Sequence, residues 1–215
     1  MNTDSIIIRK NKRAKNLRLS INKQGLPVLT IPFLCPKWYA LRWAEKQTGW
    51  IQKHTFQPQT FGPNQTISLC GQPYVLKHNP HQKGNTITKS EIIIGGDLAF
   101  FNRRIKDLIK KEFLHFIKTQ VYEDAQKLGV QYKRITLRDT SSRWGSCSSS
   151  GNLSFCWRIA MAPDFVIRYL IAHEVSHLKH MNHSPAFWKT VATLTADITQ
   201  AKSWLKHHSK ELQIG

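Results

Sequence analysis

His173, Glu174 and His177 stand in the order H-E-x-x-H within L-I-A-H-E-V-S-H-L-K-H-M-N-H-S-P-A-F, residues 170–187. Residues four apart on a helix share a face, so the two imidazoles stand one above the other. Such a pair offers two neutral nitrogens to one Zn²⁺ ion, and the carboxylate between them can take a proton from a water that the ion activates. An open catalytic site needs a third protein ligand. His183, six residues beyond His177, is the first candidate. His180 could compete from the same helix, although a supporting or surface role suits it better. The only acidic side chains after Glu174 are Asp197 and Glu211, which make a later carboxylate the alternative ligand.

These residues need elements to hold them. Ala162-Pro163-Asp164 predicts a helix start, with Pro at the first helical position and a carboxylate at the positive end of the dipole. Val166, Ile167, Leu170 and Ile171 give that helix an apolar face. Asn182 and Ser184-Pro185 end it and open another: Ser184 caps, Pro185 takes the first position, and Phe187, Val191, Leu194 and Ile198 follow at helical spacing. His183 then belongs to the tight turn between two helices.

Upstream, residues 1–96 predict a β-rich subdomain with one helix. Ile6-Ile7-Ile8, then Leu17, Leu19 and Ile21 alternating with polar residues, predict strands. A turn at Asn22-Lys23-Gln24-Gly25 leads to a strand over Val28–Ile31 that Pro32 ends. A helix is expected from about Pro36 to His54, with Trp38, Leu41, Trp50 and Ile51 among its apolar positions. Pro58, Gly62, Pro63 and Asn64 mark a loop. Short strands follow at 67–69, 74–76 and 91–94, and Gly95-Gly96 is the natural boundary. Residues 97–215 form the second expected subdomain. A long amphipathic helix spans Asp97–Leu128 and Gly129 stops it. Arg134–Arg138 alternates as a strand. Gly151-Asn152 is a hairpin signal; were it the turn, Cys147 would face Cys156 and Ser149 would face Ser154.

At 215 residues the chain can bury a real core. No apolar run is long enough for a membrane span, and the first ten residues are too short on apolar character for a signal core. Four scattered cysteines without C-x-x-C predict neither a disulfide framework nor a second zinc site. A reduced, cytoplasmic setting is the expectation. With 32 basic against 13 acidic side chains the formal net charge is +19. Such a chain attracts polyanions, nucleic acid among them, through the run at 9–18 and through Arg103, Arg104, Lys106, Lys110 and Lys111. The charge alone does not choose between a nucleic-acid groove and a generally basic surface. Composition says nothing of oligomeric state.

Two long motifs, R-W-G-S-C-S-S-S-G-N-L-S-F-C-W-R-I with A-P following, and H-E-V-S-H-L-K-H-M-N-H-S-P-A-F-W, resemble the YgjP-like zinc metallopeptidases, relatives of the SprT-like and WLM minimal zincins. The likeness extends more weakly to K-R-A-K-N-L-R-L near the start. The resemblance implies an α+β fold, a zincin-like catalytic half carrying the H-E-x-x-H helix after a β-rich N-terminal half. It implies one Zn²⁺ per chain on His173, His177 and His183, with Glu174 as general base in peptide-bond hydrolysis. Where that family usually reads F-N-W-R-L, this chain has Cys156 in place of the Asn. A polypeptide substrate is expected to add as a strand along the 134–149 region, near Arg143, Trp144, Gly145 and Ser146. Arg143 and Asn182 are both candidates to stabilise an oxyanion. Two other readings stay open: a peptidase recruited to nucleic acid, and a non-catalytic module with a closed, four-ligand zinc.

Overall fold

In the computed structural model of the protein, residues 6–22, 24–55, 60–140, 143–208 and 211–212 are described. Lys23, Pro58 and Ser142, which belong to segments read above, lie outside them, as do residues 1–5. The chain divides into two compact units, residues 1–59 and 60–214.

In the first unit, β1 (Ile7–Asn11), β2 (Arg18–Ile21) and β3 (Pro27–Pro32) form a sheet of order β1-β3-β2, with β1 parallel and β2 antiparallel to β3. Leu29 and Ile31 on β3 close over Ala40 and Ala44 as a small core. The single helix expected over 36–54 is two helices, α1 (Lys37–Glu45) and α2 (Thr48–His54). The break has a local cause. The Thr48 hydroxyl donates to the Glu45 carbonyl at 2.5 Å, competing with the helical ladder, and Gly49 follows.

The second unit begins with a four-stranded sheet of order β4-β5-β7-β6: β4 (Thr66–Leu69), β5 (Gln72–Asn79), β6 (Asn85–Ile87) and β7 (Glu91–Gly95). The sequence reading misses β6, a three-residue polar strand too short to show alternation. A 3₁₀ turn at Leu98–Phe100, capped by Asp97, leads into α3 (Phe101–Leu128). Gly129 ends α3 in the left-handed region at φ 64°, donating back to the last turn. Next come β8 (Arg134–Arg138), β9 (Gly145–Cys147) and β10 (Asn152–Cys156), in the order β8-β10-β9. Three helices finish the unit: α4 (Asp164–Ser176), α5 (Pro185–Leu194) and α6 (Ile198–His208).

The expected boundary at Gly96 falls inside this unit. Ile67, Leu76, Ile92 and Ile94 of the four-stranded sheet share one core with Ile105 and Phe113 of α3, Phe155 of β10 and Ile167 and Ile171 of α4. Burial, rather than the Gly95-Gly96 turn, sets the unit. The class is α+β, with the three-stranded sheet and helices α3–α6 in the C-terminal half. No helix among the described residues is long and apolar enough to cross a membrane.

Three smaller expectations shift. Pro163 is the N-cap of α4 rather than its first residue, in extended backbone with Asp164 following. The helix after Ser184-Pro185 stops at Leu194, and Ile198 opens α6 instead. The hairpin turn is built on Ser148–Gly151: the Gly151 N–H donates to the Ser148 carbonyl, and Asn152 already belongs to the strand. Cys147 therefore faces Leu153, and Ser154 faces Ser146. Cys156 instead donates its N–H to the Trp144 carbonyl. All four cysteines are free.

Candidate metal centre

α4 carries the site because its apolar face is buried from Val166 to Val175, which fixes the rotation of the helix and the direction in which its polar residues project. His173 sits in the last turn, and His177 is the C-cap, still in right-handed helical backbone. The chain then turns sharply. Ser184 accepts from the Phe187 N–H and starts α5 with Pro185 in the first turn, as its sequence predicts. That corner swings His183 back over the end of α4.

The structure brings the three histidines together. Ligating nitrogens of His173, His177 and His183 lie within 4.8 Å of one another, and no carboxylate joins the group among the described residues. Ring centroids are 4.9 Å apart for His173–His177, 5.0 Å for His173–His183 and 4.9 Å for His177–His183. The Nε2 atoms of His183 and His173 face each other at 3.1 Å. Nitrogens about 2.0–2.1 Å from a tetrahedral ion stand about 3.3 Å apart, so this spacing is that of two ligands on one metal. His177 Nδ1 lies 3.0 Å from the His180 carbonyl; donating there, it leaves the Nε2 lone pair for the shared centre. His180 thus contributes its backbone to the site. Burial, then the neighbouring rings, push His173 down to about 4, and burial also lowers His177, so both rings are neutral donors at pH 7. His173 Nδ1 is buried without a hydrogen-bond partner among the described residues. The donor set, its spacing and its neutral state all fit a divalent zinc-type ion.

Phe187 is the floor of this cluster. Fully buried, its ring centroid lies 5.0, 4.6 and 4.8 Å from those of His173, His177 and His183. Trp188 stacks on His183 at 5.7 Å, and Lys202 Nζ sits 3.5 Å above the indole. The sequence reading took Phe187 only as an apolar helix position and did not single out Trp188 or Lys202. For Phe187 and Trp188 the available signal was their place in the first turn after the Ser184-Pro185 helix start; Lys202, on α6, had none.

Glu174 is 4% exposed and packs against β9. A Cβ placed on Gly145 would fall 2.4 Å from its Oε1 and 2.7 Å from its Cγ, so only glycine leaves room for the carboxylate. Burial raises this carboxyl to about 8, with the Arg143 charge pulling the other way. A cation on the neighbouring imidazoles would lower it further. Glu174's charge in turn reaches Cys147 and Tyr169, which burial and that charge push up to about 11 and about 12.

Of the residues expected near substrate, Gly145 meets the Glu174 carboxylate directly. Arg143 is exposed and close enough to act on its charge. Ser146 alternates with Gly145 and Cys147 and so belongs to the opposite sheet face, while Trp144 precedes β9 and rests partly against the core. Asn182 is exposed in the α4–α5 turn. Cys156, where the family motif has Asn, is buried and directs its thiol to the Thr140 carbonyl at 3.3 Å. Two residues later Arg158, 4% exposed, pairs its Nε with Asp139 at 2.9 Å and ties the end of β8 to the turn after β10.

The family description "YgjP-like, metallopeptidase domain" matches residues 15–208. Curated proteins give no match. Among solved structures, the metallopeptidase zymogen abylysin of Pyrococcus abyssi is similar, at 20% identity and a TM-score of 0.38, over 46% of this chain and 97% of that one. So is the zymogen jannalysin of Methanocaldococcus jannaschii, at 21% identity and a TM-score of 0.37, over 44% of this chain and 96% of that one.

Proposed function

The chain belongs to the YgjP-like metallopeptidase family, and from that premise we propose that it hydrolyses peptide bonds with one Zn²⁺ held by His173, His177 and His183 and with Glu174 as general base. The observation that carries the reading is the convergence of three imidazoles beside a carboxylate confined by Gly145. When bound, the ion supplies Lewis acidity, lowering the pKa of water and polarising the scissile carbonyl.

The chain's own residues do the rest. β9 lies at the edge of its sheet among the described residues, so a polypeptide can pair with it backbone to backbone without strong sequence preference. Glu174 takes a proton from the attacking water as the C–O bond forms, then hands it to the amine as the C–N bond breaks. Its burial against β9 keeps the carboxylate in one place. Arg143, exposed beside β9, donates to the developing oxyanion in this reading. His180 holds the His177 ring through its carbonyl, and Phe187 fixes the separation of all three rings.

A closed, structural zinc would need a fourth protein ligand, and none joins the three histidines among the described residues. The test is Glu174→Gln. It should retain zinc, measured by elemental analysis, and lose hydrolysis of a quenched fluorescent protein substrate by about 10²–10⁴-fold. A variant as fast as the parent would remove Glu174 from the role of base.

A further inference from the structure

One groove of the second unit lies apart from the histidines. It holds about 610 Å³ and lies along β8, β10 and β9. Leu153 and Phe155 of β10 point into the core. By alternation, Asn152 and Ser154 point to the other face, with their register partners Arg134, Thr136 and Ser146. Thr136, Ser154 and Ser146 thus make a row of hydroxyls straight across the sheet. Arg134 and Arg138 flank that row, with Cα atoms about 13 Å apart along β8. Arg143 and Trp144 close the far end. All three arginines are exposed, no carboxylate is among the lining residues, and none of the three has an ion pair among the described residues.

We propose that this outer sheet face binds the sugar–phosphate backbone of a single-stranded nucleic acid. Guanidinium groups in a row take phosphates, and uncharged hydroxyl and amide donors supply the further hydrogen bonds that phosphate oxygens accept. The half-buried Trp144 ring adds an aromatic surface of the kind on which bases stack. The net charge of +19 supplies long-range attraction. An acidic peptide would use the arginines and leave the hydroxyl row idle, which favours phosphate.

The test needs no peptidase activity and stands apart from that reading. A fluorescein-labelled 20-nucleotide oligo-dT is titrated with the full chain by anisotropy at several salt concentrations. Arg134→Ala/Arg138→Ala should weaken binding about tenfold at 0.15 M salt and flatten log K against log salt by about 1.4, that is about 0.7 per lost phosphate contact. Lys83→Ala/Lys89→Ala, which removes two exposed charges away from the groove, should change both far less. Arg134→Lys/Arg138→Lys should retain most of the slope, showing that charge rather than folding is read. Equal weakening by the two alanine pairs would overturn the proposal, as would an oligonucleotide that does not bind. Displacement by polyglutamate as effective as by unlabelled oligo-dT would also overturn it and assign the face to acidic protein.

Discussion

Replacing Gly145 with alanine changes one hydrogen for one methyl at the tightest point of the site. The added Cβ would stand 2.4 Å from Glu174 Oε1, 2.7 Å from Cγ and 2.8 Å from Cδ, where ordinary contacts begin near 3.4 Å. Three side-chain atoms must therefore retreat by about 0.6–1 Å, the reacting Oε1 by the most. Glu174 is only 4% exposed, and β9 packs directly on α4, so there is little free space for the movement. A displacement of about 1 Å costs on the order of 10²-fold in rate. Overpacking costs about 1–3 kcal/mol, partly offset by about 0.4–1 kcal/mol from a stiffer unfolded chain. Gly145→Ala should thus fold, with a thermal midpoint lowered by a few degrees, roughly 2–4 °C per kcal/mol. It should hold zinc like the parent, because no ligand is touched. Its kcat against a fluorescent casein should fall about 10²-fold. Parent-like turnover would refute the reasoning, and so would zinc loss matching the activity loss, since either would mean that Gly145 does not act through Glu174.

Other outcomes follow from the same geometry. His183→Ala should lower zinc affinity by several orders of magnitude, read by competition with a chromogenic chelator; unchanged affinity would move the third ligand to Asp197 or elsewhere. Removing the metal from the parent should lower its thermal midpoint, because an ion at a hundred times its Kd stabilises by about 2.7 kcal/mol. Phe187→Ala should cost about 3–5 kcal/mol as a cavity opens beneath the imidazoles, and zinc affinity should fall with it; full retention of zinc would deny the ring any part in spacing the ligands. Cys70 is pushed up to about 12, chiefly by burial and then by the Glu112 and Asp164 charges. Its thiolate fraction at pH 8 is about one in 10⁴, so iodoacetamide labelling should be slow there and rise about tenfold per pH unit up to pH 11. Rapid labelling of Cys70 in native protein at pH 8 would contradict this.

What the chain shows in its letters is uneven, for physical reasons. The H-E-x-x-H pair, the Ser184-Pro185 start and the Gly129 stop are local devices, so their consequences can be read from spacing alone. The place of the four-stranded sheet is not local. Ile67, Leu76, Ile92 and Ile94 look alike whether they cover a separate domain or the flank of α3, and only packing decides. The hairpin failed at its turn because Gly151-Asn152 imitates a two-residue loop, whereas Ser148 and Ser150 accept from the Asn152 side-chain amide and hold Asn152 in β10. Gly145 was expected near substrate from its motif; its closeness to Glu174 depends on how β9 meets α4, which no spacing encodes.

β9 is three residues long. A guest laid beside so brief a ribbon can form only two or three main-chain bonds, each worth about 1 kcal/mol net. That is too little to pull a segment out of a folded neighbour. Chains already slack, such as tails, linkers and unfolding intermediates, can lie there at no prior cost. The enzyme would thus tell targets apart by whether they can straighten, before any side chain is consulted.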